Sequence, residues 1–544
     1  MPTPGGPRPR SAPAADLAAV VEHLRARGAS PVEVVVPQGP SAEVTVSGVT
    51  LASKDVVPGD LYAALPGSRA HGADYAADAA ASGARAVLTD PAGRDRAAAT
   101  GLPVVVVETP RAVLGDLAAW LYGHPGEALT VLGVTGTNGK TTTTFLVDAA
   151  LRSTGERTGL VGTVEIRSAD RRIRSTGTTP EAPALHALLA VMREDGVRTC
   201  SMEVSSHALA QHRVDGLVVD VAGFTNLSQD HLDYHRTMEE YFAAKALLFT
   251  PEHARRGVVV VDDAWGVRMA RESGVPVVTV TTRPGVVADW RVVGRDLDGG
   301  LTTAHLTGPD GVALSVRCPL PGDFNVANTV LALAMLVEAG HAPAAAAAAL
   351  GAAGPVPGRM EKVPAVGAPG EPVVVVDYAH TPDAVAAALD ALRDAGHPLV
   401  VVLGAGGDRD REKRPLMGAA AARAADVVVV TDDNPRSEEP AAIRAALLVG
   451  ARSVADGAAP AGPAAHHAEV VEVDRRRAAI AEGVARAWGG GVVLVAGKGH
   501  EQGQDVAGVV HPFDDRAVAG EVLVQAAALR GSKATLHAPE GTRA

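Results

Sequence analysis

The segment GVTGTNGKTTTT, residues 133–144, carries the side chains of a phosphate-binding loop. Its glycines let backbone N–H groups approach phosphate oxygens, and the helix predicted to begin there adds a favourable dipole. Lys140 can reach the β- and γ-phosphates, and the hydroxyl of Thr141 can bind Mg²⁺. Val134 replaces the first glycine of the standard GxxxxGK[ST] motif. The apolar strand before the segment still favours a nucleoside triphosphate site over a chance glycine-rich turn, although such sites serve kinases, GTPases and ligases alike.

Oxygen and imidazole side chains follow two further strand-like stretches. Glu203, in SMEVSSHALAQHR, is predicted near the carboxyl end of a strand, where it could bind Mg²⁺. The segment FTNLSQDHLDYH, residues 224–235, adds two aspartates and two histidines. The i,i+4 spacing of His231 and His235 is that of a zinc-protease helix, but Leu232 stands where the catalytic glutamate belongs. An oxygen-rich set therefore favours Mg²⁺ over zinc.

A second polar strand tip lies in VVVVTDDNPRSEEP, residues 427–440. The valines end at Thr431 and give way to two carboxylates, an amide, a proline and Arg436. Such side chains bind small polar molecules, and a guanidinium can hold a carboxylate through two parallel hydrogen bonds. The local sequence leaves open the alternative that Arg436 faces solvent.

These polar groups follow valine-rich runs that recur along the chain, each succeeded by Gly, Asp, Asn or Pro and then by an alanine-rich segment. Unbroken apolar runs are typical of strands buried on both faces, and their alternation with helical segments predicts βαβ units and parallel sheets. Ligands bind at the carboxyl ends of such strands, which is where the polar residues fall. The runs occupy residues 104–108, 129–136, 257–263, 373–380, 399–407, 426–435 and 491–500.

Length and composition limit the class of protein. A chain of 544 residues with 47% hydrophobic residues can form two to four domains, and a net charge of −12 argues against a general nucleic-acid binder. Two cysteines cannot build a disulfide framework, and no apolar run approaches the length of a membrane span, so we expect a cytoplasmic protein. Proline and glycine clusters predict domains at 16–125, 126–358 and 359–530, between a disordered leader (1–15) and a disordered tail (531–544).

The order of the motifs carries a resemblance to a known family. TGTNGKTTT, MEVSSH, TNLSQDHLDYH, FNVAN, GRME, DYAHTPD, GGDRDREKRPLMG, DDNPR and GKGHE follow one another as in the ATP-dependent Mur ligases, over roughly residues 45–525. Within that family the chain resembles members that add the third amino acid of the peptidoglycan stem peptide. The resemblance implies a three-domain α/β architecture, with an N-terminal uridine-binding domain, a central P-loop ATPase domain and a C-terminal Rossmann-like domain.

The resemblance also implies the reaction. ATP would phosphorylate the D-glutamyl carboxylate of UDP-N-acetylmuramoyl-L-alanyl-D-glutamate, and the amine of diaminopimelate would attack the acyl phosphate, releasing ADP and phosphate. Mg²⁺ and Lys140 would neutralise the charge of a carboxylate attacking an anionic phosphate. The expected setting is the cytoplasmic stage of bacterial cell-wall synthesis, and the expected enzyme is a monomer that needs neither nucleic acid nor membrane.

Matched motif by motif, the resemblance assigns four sets of residues. The catalytic residues would be Lys140, Glu203, His231 and Lys245, and Lys245 would be carbamylated (N6-carboxylysine), which explains a lysine in the apolar segment YFAAKALLF. The metal would be held by Thr141, Glu203, His231 and Lys245. ATP would contact Gly136, Thr137, Asn138, Gly139, Lys140, Thr141, Thr142, Asn325, Arg359 and Asp377.

The remaining two sets concern the other substrates. The UDP-sugar dipeptide would contact Leu51, Ser53, Ser68, Arg69, Ala70, Thr178, Thr179, Ser205, Gln211 and Arg213. Diaminopimelate would contact Arg409, Asp433, Asn434, Pro435, Arg436, Gly497 and Glu501. The chain departs from the family where Ala52 and Lys54 flank Ser53, in place of the usual Asp and Arg. Versions that take L-lysine generally lack the arginine of DNPR.

Three other functions compete with this interpretation. A folylpolyglutamate synthetase would share the phosphate loop and the modified lysine, but it would give no reason for DDNPR or for the N-terminal GDLYAALPG. A non-catalytic nucleotide switch would not need the metal cluster. A dinucleotide oxidoreductase could use GAGGDR, residues 404–409, but Arg409 stands where the third glycine belongs.

Overall fold

The computed structural model describes residues 7–536 except 12–13, 37–43, 68, 174, 176, 394–395 and 458–467. These residues form three α/β domains, each built around its own sheet. The predicted fold class is thereby confirmed. Each valine-rich run of the sequence supplies a strand to one of the three sheets.

The N-terminal domain is a sheet covered by short helices. Its strands run in the order Val32–Val35, Val104–Val107, Ala86–Thr89, Asp60–Ala64 and Gly48–Thr50. The first pair is antiparallel and the others are parallel. A short ladder joins Ala15–Asp16 to Thr45–Val46. The helices are Leu17–Ala26, Ala76–Ala81, Arg94–Ala98 and Pro110–Leu121, with 3₁₀ turns at Ser53–Asp55, Gly72–Tyr75 and Pro125–Ala128.

The middle domain holds a longer mixed sheet. Its strands run in the order Arg171–Ile173, Ile166–Ser168, Thr158–Val161, Thr199–Glu203, Thr130–Thr135, Val221–Phe224, Gly257–Val260, Val277–Thr281, Trp290–Asp298, Leu301–Thr307 and Ala313–Arg317. The strands from Thr158–Val161 to Trp290–Asp298 are parallel. The helices are Lys140–Ser153, Ala182–Glu194, Ser206–Ala210, Leu232–His235, Met238–Ala246, Ala264–Glu272, Asp323–Glu338 and Pro343–Gly351, with 3₁₀ turns at Leu247–Phe249 and Pro309–Gly311.

The C-terminal domain is a doubly wound sheet. Its strands run in the order Glu361–Lys362, Val373–Asp377, Val492–Ala496, Leu399–Leu403, Val427–Val430 and Glu469–Glu472, parallel after the first pair. Its helices are Pro382–Asp390, Lys413–Ala424, Pro440–Ala455, Arg476–Arg486 and Asp515–Leu536, and a hairpin pairs Gly503–Val506 with Val509–Pro512.

Alternate valines of this sheet face opposite helical layers. Val375 and Val401 lie in the core on one side, and Val374 and Val400 lie in the core on the other. A strand covered on both faces has no position for a polar residue, so its sequence is an unbroken apolar run. The chain becomes polar where each strand leaves the sheet, and those ends meet at one edge.

Both chain ends differ from their sequence expectation. Arg8, in the predicted leader, donates to Asp60 Oδ2 at 2.8 Å and to the Tyr122 hydroxyl at 2.9 Å, both in the N-terminal domain. The backbone N–H groups of Arg10 and Ser11 donate to Glu194 of the middle domain, so the leader contacts both domains. The last helix, Asp515–Leu536, runs past residue 530, where the tail was expected to begin. The other leader residues and residues 537–544 lie outside the described residues. Within the described ranges, none of the helices combines the length and apolar character that a bilayer crossing requires.

Candidate active site

The phosphate loop connects the strand Thr130–Thr135 to the helix Lys140–Ser153. Gly136 and Gly139 have φ angles of 146° and 89°, a backbone region that favours glycine. A Cβ at Gly136 would lie 1.8 Å from Thr225 Oγ1, and one at Gly139 would lie 2.3 Å from Asn328 Oδ1. The loop is therefore tightly enclosed, and side chains at either position would displace its neighbours.

Lys140 folds back over this loop. Its Nζ donates to the carbonyl oxygens of Gly136 and Thr137, each at 2.9 Å. Burial lowers the pKa of Lys140, while the carboxylates of Glu203 and Asp230 oppose that shift. The ammonium thus lies where phosphate oxygens would approach the loop, with two carboxylates nearby.

An oxygen-rich group lies beside the first residue after Lys140. The Thr141 hydroxyl is 3.1 Å from Glu203 Oε2, and Glu203 is 1% exposed. Thr163 donates to the same carboxylate through its backbone N–H, at 2.8 Å, and through its hydroxyl, at 3.1 Å. Hydroxyl and carboxylate oxygens are ligands that suit Mg²⁺, so Thr141 and Glu203 fit the expected metal site.

Lys245 is buried beneath the phosphate loop. Its side chain is 1% exposed, its Nζ donates to Gly136 O at 2.8 Å, and it lies 4.4 Å from the centre of the Tyr241 ring. Burial, followed by the positive charge of Lys140, holds the pKa of Lys245 well below its usual value. A neutral amine in this position can react with CO₂, and the resulting carbamate would supply oxygen ligands.

Asp230 connects the middle and C-terminal domains. Its carboxylate is 3.4 Å from His231 Nε2, 3.7 Å from His380 Nε2 and 3.5 Å from Lys413 Nζ. Burial raises the pKa of Asp230, but the hydrogen bond and charge of His380, with the charges of its other two partners, hold it well below its usual value. The carboxylate is therefore ionised and attracts two C-terminal side chains towards the phosphate loop.

His231 does not lie on a zinc-binding helix. It precedes the short helix Leu232–His235 with a φ of 55°, and His235 is buried with its Nε2 2.9 Å from Ser206 Oγ. Burial lowers the pKa of His231 to about 3, so its imidazole is neutral and able to act as a ligand. Among the described residues there is no group of three or more His, Cys, Asp or Glu side chains arranged to hold a metal. The expected set instead mixes Thr141 and a lysine with Glu203 and His231.

A cavity of about 270 Å³ lies between the phosphate loop and the C-terminal sheet. Asn325, Arg359 and Asp377, the residues expected to hold the nucleotide, all line it, together with Asn138, Gly139 and Thr142. Arg359 crosses from the C-terminal domain, since its Nη2 donates to Thr141 Oγ1 at 2.9 Å and its guanidinium lies 4.5 Å from the centre of the Tyr378 ring. The cavity thus brings together six of the ten predicted ATP residues, from two domains, whereas Gly136, Thr137, Lys140 and Thr141 are not among its lining residues.

The middle-domain residues assigned to the UDP-sugar dipeptide form one hydrogen-bonded patch. Thr179 Oγ1 donates to Glu203 O at 2.9 Å, and Thr178 Oγ1 is 3.0 Å from Thr163 Oγ1. Ser205, Gln211 and Arg213 complete the patch through contacts with Thr179 and with each other. The patch therefore adjoins the carboxylate of the expected metal site.

The N-terminal residues of that set lie apart from this patch. Leu51 and Ser53 follow the edge strand Gly48–Thr50, and Ser53 opens a 3₁₀ turn. Arg69 and Ala70 are exposed in the turn before His71. Ser68 lies outside the described residues. A ligand contacting both groups would have to extend from the N-terminal sheet to the phosphate loop.

The residues assigned to diaminopimelate meet at the carboxyl edge of the C-terminal sheet. Arg436 Nη1 donates to Gly407 O at 2.5 Å, and a Cβ at Gly407 would lie 1.9 Å from Pro435 O. A Cβ at Gly497 would lie 2.5 Å from Asp433 Oδ2. Loops from three neighbouring strands are therefore in close contact, with Arg436 half-buried among them.

Two further contacts define this edge. Asn434 Nδ2 donates to Glu501 Oε2 at 2.7 Å. Arg409 is exposed and donates to Asp408 O at 3.3 Å, across Gly406 from Arg436. Asp432 is not part of the group, because its carboxylate pairs with Arg444 at 2.5 Å. The neighbouring Asp433 carboxylate instead lies against Gly497, so the two aspartates have different surroundings.

Sequence reasoning did not assign several buried charges at this edge. Lys498 is fully buried and donates to Asn434 Oδ1 and to Glu501 Oε2, each at 3.1 Å. Arg476 pairs with Asp515, both fully buried, and donates to the carbonyl oxygens of Asp432 and Ala496. Lys498 lies within the GKGHE motif, and that position could have identified it as a candidate functional residue. Arg476 lies outside every motif, so no such signal identified it.

Comparison with known proteins gives a consistent result. Residues 45–122 match the Mur ligase family catalytic domain, residues 134–336 the Mur ligase middle domain, and residues 358–499 the Mur ligase glutamate ligase domain. A protein of Streptomyces avermitilis named UDP-N-acetylmuramoyl-L-alanyl-D-glutamate–2,6-diaminopimelate ligase is 52% identical over 96% of this chain and 99% of its own length. A protein of the same name from Streptomyces coelicolor is 53% identical over the same shares.

A solved structure with that name is also similar, at 31% identity and a TM-score of 0.60, covering 90% of this chain and 97% of the other. The three domain matches follow the three sheets of the fold, and the relatives span nearly the whole chain. The chain therefore belongs to the Mur ligase family.

Proposed function

We propose that this protein joins diaminopimelate to UDP-N-acetylmuramoyl-L-alanyl-D-glutamate, using ATP and forming ADP and phosphate. The reaction makes an amide in the cytoplasmic stage of bacterial cell-wall synthesis, and it thereby serves cell shape and division. One observation carries the proposal: a single domain contributes to both parts of the site. Its sheet edge holds Arg436, Asn434 and Glu501. The same domain places Arg359 against Thr141, and His380 and Lys413 against Asp230.

The first step transfers the γ-phosphoryl group of ATP to the D-glutamyl carboxylate. Lys140 and the N–H groups of the first turn of the helix Lys140–Ser153 bind the phosphates, while Asn325 and Asp377 line the cavity for the adenosine. Arg359 adds a second cation beside Thr141. These fixed positive groups stabilise the charge that accumulates as one anion attacks another.

Mg²⁺ bound here would neutralise phosphate charge and hold the reacting oxygens in place. Thr141, Glu203, His231 and carbamylated Lys245 would hold the metal. The carbamate forms when the neutral Lys245 amine adds to CO₂ and loses a proton, and its buried position below the loop keeps it from water. The lowered pKa of Lys245 supports this chemistry.

In the second step the amine of diaminopimelate attacks the acyl phosphate, and the tetrahedral adduct collapses to the amide and phosphate. Arg436 and the Asn434 N–H would bind the carboxylate at the far end of diaminopimelate, and Glu501 would bind the ammonium beside it. L-Lysine has no carboxylate at that end, so the guanidinium favours diaminopimelate. Ser53 and the hydrogen-bonded patch of Thr178, Thr179, Ser205, Gln211 and Arg213 would hold the UDP-sugar dipeptide.

Phosphate release in the presence of ATP, Mg²⁺ and UDP-N-acetylmuramoyl-L-alanyl-D-glutamate tests the proposal. Reactions with meso-diaminopimelate, LL-diaminopimelate and L-lysine run in parallel, with product mass as a second readout. We expect turnover with a diaminopimelate isomer and an adduct of the corresponding mass. Turnover with L-lysine alone would overturn the substrate assignment, and turnover with none of them would overturn the reaction.

The folylpolyglutamate alternative is disfavoured by the N-terminal domain. The segment GDLYAALPG forms the buried strand Asp60–Ala64, between Ala86–Thr89 and the edge strand Gly48–Thr50, and the turn that follows it. Release of phosphate with a folate and glutamate would support the alternative. We also propose that the enzyme acts as a monomer, which sedimentation velocity measures directly.

A further inference from the structure

Lys498 is a lysine whose side chain is 0% exposed. Its Nζ donates to Asn434 Oδ1 at 3.1 Å, to Glu501 Oε2 at 3.1 Å and to Gly503 O at 2.6 Å. An ammonium has three N–H donors, so these acceptors satisfy it completely. The lysine has no donor left for a substrate, and its contacts are with two residues assigned to diaminopimelate.

The Lys498 ammonium fixes the orientation of the Asn434 amide. Asn434 Oδ1 accepts from Lys498 Nζ and from the backbone N–H of Asp505 at 3.0 Å. The Nδ2 edge therefore faces Glu501, to which it donates at 2.7 Å. A reversed amide would place its N–H donors against two other donors and its oxygen against a carboxylate, so the observed orientation is strongly preferred.

The same ammonium restrains Glu501. Oε2 of Glu501 accepts from both Lys498 and Asn434, while Oε1 has no hydrogen bond to any residue in the described ranges. The side chain is 30% exposed, so Oε1 is available to a ligand. Asn434 also retains a second Nδ2 proton. The network thus offers one anionic acceptor and one neutral donor at fixed positions.

We propose that Lys498 is a positioning residue for amino-acid selection. It holds Glu501 Oε1 towards the ammonium, and the free Asn434 N–H towards the carboxylate, of the far end of diaminopimelate. The inference rests on the proposed function, because the ligand is the amino acid assigned there. Lys498 acts through its two neighbours and does not touch the ligand.

Lys498→Met tests the proposal, because methionine fills similar volume without charge or donors. We expect KM for diaminopimelate to rise about tenfold or more, the usual consequence of losing hydrogen bonds to charged groups. KM for ATP should stay within about twofold, because the hydrogen-bond partners of Lys498, which are Asn434, Glu501 and Gly503, do not line the nucleotide cavity. The preference for diaminopimelate over L-lysine should fall. Lys362→Met, at an exposed lysine of the same domain, is the matched control and should leave all three values unchanged.

A double substitution separates positioning from a general loss of structure. If Lys498 acts through Glu501, Lys498→Met combined with Glu501→Gln should raise KM for diaminopimelate little more than the worse single change. Equal increases in KM for every substrate, fully additive effects, or an unchanged KM for diaminopimelate would overturn the inference. If Lys498→Met fails to fold, as judged by circular dichroism and ADP binding, Lys498→Gln takes its place.

The wild-type reaction distinguishes the two proposals. Turnover of diaminopimelate by the wild type, with no selective effect of Lys498→Met, would refute the positioning function alone. No turnover by the wild type with any of the amino acids would refute the proposed function on which it rests.

Discussion

Replacing Arg436 with alanine should remove selection for the far carboxylate of diaminopimelate while leaving the loop intact. The backbone of Arg436 is held by main-chain groups, since its N–H donates to Asp505 O at 3.0 Å and its carbonyl accepts from Ala507 N at 2.7 Å. Its φ is 50°, and alanine and lysine bear the same left-handed strain as arginine. The substitution therefore isolates the side chain.

The size of the effect follows from the guanidinium's position. One N–H is committed to Gly407 O, and the others can form two charge-assisted hydrogen bonds to a carboxylate. Such bonds contribute about 1.5–3 kcal/mol each, and a half-buried site places them at the low end, so the loss is about 3 kcal/mol. We expect kcat/KM for diaminopimelate to fall about 100-fold in Arg436→Ala and about tenfold in Arg436→Lys, which keeps the charge but loses the fork.

Initial rates of phosphate release at varied diaminopimelate concentration measure these values. Arg423→Ala, at an exposed arginine of the helix Lys413–Ala424, is the control and should match the wild type. Residual activity with L-lysine should not change in Arg436→Ala. A kcat/KM for diaminopimelate within about threefold of the wild type would refute the assignment of Arg436.

Three further outcomes are expected. Lys245→Ala should lose about 100-fold or more in kcat, and Lys245→Glu should retain part of the activity, because glutamate replaces the carbamate oxygens. Carbon-13 NMR with labelled bicarbonate should detect the carbamate in the wild type. Full activity of Lys245→Ala would contradict the carbamate. Gly407→Ala should raise KM for diaminopimelate, because its Cβ would meet Pro435 O and displace the loop; an unchanged KM would show that the loop tolerates it. Burial lowers the pKa of His186 to about 4, whereas a histidine of the unfolded chain has a pKa of about 6.5. Protonation therefore favours the unfolded chain, and the free energy of unfolding falls as the pH drops from about 6.5 towards 4. The free energy of unfolding measured with urea should fall by about 2 kcal/mol between pH 7 and pH 5 because of this group. If the same fall occurred in His186→Gln, other residues would be responsible for it.

The parts of the site that lie within one continuous segment could be predicted from sequence. The phosphate loop is such a part, because strand, glycines, Lys140 and Thr141 follow one another and their geometry is local. Glu203 was predicted at a strand end, and the buried strand Thr199–Glu203 does end there. Valine runs predicted the sheets for the same reason, since burial on both faces acts on each residue separately.

Contacts between distant segments could not be predicted this way. Asp230 and Lys413 are 183 residues apart and meet because two domains pack together, which no local pattern encodes. Lys498 would ordinarily be expected to extend to water, and its burial depends on acceptors from Asn434, 64 residues away. The different surroundings of Asp432 and Asp433 could not be predicted either, because both residues lie beyond the end of the strand Val427–Val430 and look equivalent in a linear sequence.

The doubly wound sheet of the C-terminal domain has a consequence for how such enzymes diverge. The valines that stabilise the domain lie within the strands, whereas the residues proposed to choose the amino acid lie after the strands have ended. Substitutions at exposed loop positions such as Arg409 therefore leave core volume unchanged and cost little stability, whereas the buried Asn434 and Lys498 are constrained by their hydrogen bonds. A lineage that changes the third residue of its stem peptide can do so through a few loop positions, while the inherited framework continues to fold.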